Sequence, residues 1–130
     1  MEKLRVTLSF VALIVAASLA LSCGATQNQG QLQSITLNPA TSSEPEVQFT
    51  ATGYYIHPSY TVTPQPAAWG ACYKGAPTTE VTVTTGGKAQ CANGAAGTYT
   101  VFAFDSTNCN LSTACGVGCT IVGTAQLTCP

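Results

Sequence analysis

The chain has 130 residues, enough for one domain or at most two, and only nine of them are charged, with His57 the single histidine. So few cations exclude a basic nucleic-acid-binding surface, and so few acids and bases leave little material for proton-transfer chemistry. Beyond residue 22 the chain carries two cations, Lys74 and Lys88, against four anions, Glu44, Glu46, Glu80 and Asp105.

Met1–Arg5 is a short, net-positive start, and Val6–Leu21 is a run without a charge. Sixteen residues fall short of the roughly 20 needed to cross a hydrocarbon core, so the spacing predicts a cleaved secretory signal over residues 1–22 rather than a retained span. Ala20-Leu21-Ser22 precedes Cys23, and this stretch resembles the lipobox of bacterial lipoproteins. In that family the cysteine thiol takes a diacylglycerol, and cleavage exposes its amino group to a third acyl chain. The resemblance implies lipidation of Cys23 and a membrane as the first partner. Each buried CH₂ adds about 0.8 kcal/mol, so several chains hold almost irreversibly. Gly24 stands where an aspartate would resemble an inner-membrane retention signal, which implies the outer membrane in a cell with two.

Gly24–Gln33 is polar with little to bury, and reads with Cys23 as a flexible tether over residues 23–33. A single domain over residues 34–130 is then expected, all-β. Ile35 and Leu37 alternate before Asn38-Pro39. Val47, Phe49, Ala51, Gly53 and Tyr55 share one face of a single long strand, with Gln48, Thr50 and Thr52 opposite. Val81 and Val83 alternate before Gly86-Gly87, and Tyr99, Val101 and Ala103 alternate with Thr98, Thr100, Phe102 and Phe104. A last strand runs from Ile121 through Leu127. Threonine occurs 19 times after Cys23, which suits pleated, half-buried strands. Short strands separated by Pro and Gly turns predict a sandwich or barrel.

Seven cysteines less Cys23 leave Cys72, Cys91, Cys109, Cys115, Cys119 and Cys129, an even set that predicts three disulfides in an oxidising compartment. None of them forms a C-x-x-C pair and His57 is distant in sequence, so zinc is not expected, nor any other metal or cofactor.

Five segments then fall in a suggestive order. They are SITLNP from Ser34, VQFTATG from Val47, Trp69 after two alanines, GTYTVFA from Gly97 and GTAQLTC from Gly123. Together they resemble a bacterial immunoglobulin-like domain of group 2, over nearly the whole chain after Cys23. The resemblance implies an immunoglobulin-like β-sandwich. It places Trp69 between the sheets, Tyr99 as a tyrosine corner, and Val101 where an antibody domain has its second cysteine.

In such an arrangement successive strands reverse direction, so Cys72 and Cys91 come to one pole. Cys72–Cys91 is therefore the first-choice pair. Cys109 and Cys119 meet at the opposite pole, and Cys129 returns to the first. Cys91–Cys129 with Cys72 left over is the alternative, and the connectivity of the remaining four stays open.

No serine lies in G-x-S-x-G, Glu44 and Glu46 flank Pro45 as a charged turn, and Asp105 is a lone carboxylate too weak for tight calcium binding. The sequence thus points to a non-enzyme, a lipid-anchored cell-envelope protein with a structural or adhesive module. Its partners would be a membrane and a surface protein or carbohydrate, and no nucleic acid. The alternative is a carbohydrate-binding or accessory module of a secreted enzyme system. The two separate on the solvent exposure of Trp69, Tyr54 and Tyr60.

Overall fold

The computed structural model describes residues 30–109, 115 and 118–130, so the signal segment, Cys23 and the tether up to residue 29 lie outside the described residues. Strands dominate the described chain, and a 3-10 turn spans Ser106–Asn108. The strands run β1 (Gln31–Asn38), β2 (Thr41–Ser42), β3 (Glu46–Gln48), β4 (Thr50–Ile56), β5 (Tyr60–Val62), β6 (Ala68–Tyr73), β7 (Ala76–Pro77), β8 (Val81–Val83), β9 (Lys88–Cys91), β10 (Gly97–Phe104) and β11 (Val122–Cys129).

They form sheets ordered β1-β4-β5, β3-β9-β8 and β2-β11-β10-β6-β7. Every pairing is antiparallel except that of β2 with β11. The two three-stranded sheets share one segment of chain. Residues 46–56 alternate as one strand would, but their neighbours change at Phe49, whose N–H donates to Gly87 O at 2.9 Å. Below that point β3 pairs with β9, and above it β4 pairs with β1 and β5. The expected single long strand is therefore two, because alternation records which face a residue takes and not which strand lies beside it.

The core fills the space between this composite layer and the five-stranded sheet. It joins Ile35, Leu37, Phe49, Ala51, Val81 and Ala89 to Tyr99, Val101, Ala103, Ala125 and Leu127. Val101 and Leu127 are fully buried, and the alternation along β11 puts Thr124, Gln126 and Thr128 outside. Burial of each large apolar side chain contributes about 1.5–3 kcal/mol.

The domain starts earlier than residue 34. Gln31 pairs with Ile56 and Leu32 with Tyr55, and Leu32 packs against the core. One apolar residue between two glutamines is too short a pattern to read as a strand, so the tether as read from sequence was three residues too long.

Cysteine pairing departs from the first-choice prediction. The bonds are Cys72–Cys115, Cys91–Cys129 and Cys109–Cys119, with Cα separations of 5.6, 5.9 and 4.2 Å. Cys72 and Cys91 do not meet because of the pleat of β6. Trp69, Ala71 and Tyr73 turn inward against the core, so Cys72 takes the outer face of the five-stranded sheet with Gly70. Cys91 faces the interior, where Cys129 closes the gap between layers. Cys109–Cys119 clasps the base of the β10–β11 connection, and Cys115 ties that connection to the outer face at Cys72.

Candidate functional site

Of the residues singled out in the sequence, those from residue 30 onward can be placed, and Cys23 lies outside the described residues. Tyr99 is 1% exposed on β10, and its hydroxyl donates to Glu80 Oε2 at 2.5 Å and to Ala96 O at 3.3 Å. The bond to the Glu80 carboxylate, with desolvation by burial, pushes ionisation of that hydroxyl up to about 12. The backbone acceptor lies three residues upstream, and the carboxylate is a second acceptor the sequence did not disclose.

Two other acidic residues, Glu46 and Asp105, serve local structure. Glu46 Oε1 lies 2.9 Å from Lys88 Nζ in an exposed pair worth about 0.2–1 kcal/mol. Asp105 Oδ1 accepts from Thr107 N at 3.0 Å and caps the 3-10 turn. His57 is exposed in the β4–β5 turn with φ 54°. Among the described residues, no three of the His, Cys, Asp or Glu side chains gather to hold a metal ion.

The aromatic residues proposed as a platform separate. Tyr54 and Tyr60 are 42% and 40% exposed, so both reach solvent. They cannot form one flat surface, because Tyr55 pairs with Tyr60 across the ladder while Tyr54 pairs with Thr61, on the opposite side of the sheet. Tyr55 and Tyr60 stack with centroids 4.6 Å apart, and Gly30 packs against the Tyr60 ring.

Trp69 is half-buried. One side packs against the core, and the other borders a groove of about 570 Å³. The groove opens where the β8–β9 turn and the segment after β5 leave a gap over β4. Phe49 and Ala51 line it with Pro64, Gln65, Trp69 and Gly86, and no charged side chain borders it. Its walls are held by amides. Gln48 Nε2 donates to Phe49 O at 2.8 Å and to Gly86 O at 2.7 Å, which pins the turn. Gln65 is 8% exposed, accepts from the Tyr55 hydroxyl at 2.9 Å and donates to Pro66 O at 3.1 Å. Gly53 makes room for the Gln65 carboxamide, which a Cβ there would strike. Every buried side-chain polar atom among the described residues is satisfied, so the wall costs no stranded polar group. Nothing in the sequence announces this groove, since its parts come from three separate segments and Gln65 reads as a loop residue between two prolines.

A second, more polar cleft of about 560 Å³ lies at the pole that carries Gly30 and the β10–β11 connection, between Leu32, Tyr55, Asp105 and Ile121. The first cleft has no carboxylate, histidine or lysine in its lining, and in the second the Thr107 hydroxyl donates to the Asp105 carboxylate at 2.8–2.9 Å. No protein-family model matches the chain, and no curated protein matches it either.

Proposed function

We propose that the chain is a lipid-anchored cell-envelope protein whose domain is an immunoglobulin-like sandwich, a structural or adhesive module without catalysis. The observation that supports the fold is the partition of the strands. One layer holds β1, β5, the β3/β4 segment, β9 and β8, and the other holds β2, β11, β10, β6 and β7. That division, and the Tyr99 hydroxyl donating to a backbone carbonyl three residues upstream, support an immunoglobulin-like reading. The anchor rests on the lipobox-like run ending at Cys23. Metabolic labelling with a fatty-acid analogue tests it. Wild type should take the label and Cys23→Ser should not, and equal labelling of the two would remove the anchor from the reading.

The groove beside Trp69 favours a second reading, a module that binds a neutral carbohydrate. An uncharged trough with an indole edge and fixed amide walls suits a sugar, which offers apolar C–H faces and hydroxyls together. Trp69 fluorescence should shift on titration with neutral glycans and should not shift in Gln48→Ala. A flat response across a glycan panel counts against this reading.

A further inference from the structure

The six paired cysteines fall along the chain in the order Cys72, Cys91, Cys109, Cys115, Cys119, Cys129. The bonds join the first to the fourth, the second to the sixth and the third to the fifth. None joins neighbours. We infer that oxidation alone does not mature this protein, and that it is a substrate of thiol–disulfide exchange by a reduced dithiol of the isomerase class.

The reasoning begins in the unfolded chain. Closing a loop costs entropy that rises with its length, so near cysteines meet first. Cys72 lies 19 positions from Cys91 but 43 from Cys115. By the three-halves power of separation, contact with Cys91 is about threefold more frequent. Cys129 lies 10 positions from Cys119 but 38 from Cys91, a bias of about sevenfold.

Bonds made on those odds cannot be carried into the fold. Cys72 is on the outer face of the five-stranded sheet and Cys91 is on the interior side, so a bond between them would pass through the sheet. Cys119 and Cys129 stand at opposite ends of β11, whose eight residues span about 25 Å, far beyond the reach of a disulfide. A chain holding Cys119–Cys129 cannot extend β11, and without β11 the core loses Ala125 and Leu127.

The chemistry of correction balances without net oxidation. An external thiolate attacks one sulfur of Cys72–Cys91, forms a mixed disulfide with it and releases the other cysteine as thiolate. The released Cys91 thiolate attacks Cys119–Cys129 at Cys129, which frees Cys119, and Cys119 attacks Cys109–Cys115 at Cys109. The freed Cys115 thiolate then attacks the mixed disulfide at Cys72 and returns the external thiol. Three bonds are present before and after, and no electrons are gained or lost.

The test is refolding of the purified protein, reduced and unfolded in denaturant. One arm receives a chemical oxidant alone and the other receives reduced and oxidised glutathione together. Peptide maps without reduction read the bonds. With oxidant alone, most of the product should be fully oxidised monomer carrying Cys72–Cys91 or Cys119–Cys129. The glutathione pair should raise the fraction with all three native bonds several-fold. Native bonds at equal yield in both arms would overturn the inference. So would a scrambled product that the glutathione pair leaves unchanged, since exchange would then not lead to the native set.

Discussion

Tyr99 concentrates several demands in one side chain. It fills the core and delivers its hydroxyl to Glu80, an exposed residue on the approach to β8. Because folding raises its ionisation to about 12, the folded state keeps the full benefit of this bond below about pH 10, where an unfolded tyrosine begins to ionise. The benefit is lost as pH climbs from there through 12. Glu80→Gln removes the negative charge, so Tyr99 should ionise closer to 10 and the alkaline loss of stability should shrink, as ring resonances followed by NMR titration would show. Gly87 makes a different point. Its φ is 85°, and a Cβ there would stand 2.5 Å from Phe49 O and 2.8 Å from the Trp69 ring. Gly75 has φ 81° with open space around it. Gly75→Ala should therefore cost about 1–2 kcal/mol for the left-handed backbone alone. Gly87→Ala should cost more, because the collision falls on backbone and on a packed indole, and urea unfolding of the two variants would compare them.

At the level of elements, the disulfides stabilise unequally. Cys91–Cys129 closes 38 positions and ties the last strand to the facing layer, whereas Cys109–Cys119 closes 10. On loop entropy the Cys91→Ala/Cys129→Ala double variant should lose about 4 kcal/mol, and the Cys109→Ala/Cys119→Ala variant about 1 kcal/mol less. Denaturant midpoints would rank them, and equal losses would mean that the unfolded chain is not what these bonds constrain. The strands themselves were largely legible. The alternations at Ile35–Leu37, Val47–Tyr55 and Tyr99–Ala103 arise from one face being buried, and that face is what hydrophobic periodicity records. What stayed hidden depends on contacts between distant segments. The change of partner at Phe49 comes from Gly87, 38 positions away, and the fate of Cys72 comes from a one-residue choice of pleat on β6. The start of β1 at Gln31 comes from its pairing with Ile56. The groove beside Trp69 was illegible for the same reason, although Trp69 itself stood out as the single tryptophan among small neighbours.

Across the whole molecule, Gly30 and Cys129 lie at opposite poles. Gly30 shares its end with Asp105 and Ile121, while Cys129 pairs with Gly97 beside the Tyr73 ring. A pull between those two ends runs lengthwise through the sandwich. If the strands gave way, tension would pass along the chain to Cys72, cross the bond to Cys115 and continue to Cys129. The stretch between Cys72 and Cys115 would hang slack beside that path, and at full extension it would represent about 150 Å of chain that bears no load. The domain is thus a tether with a hard stop. Force can disorder it but can draw out little more than half its backbone, and severing Cys72–Cys115 alone would only shift the load to Cys91–Cys129, so that most of the slack stretch is released only when both bonds are cut.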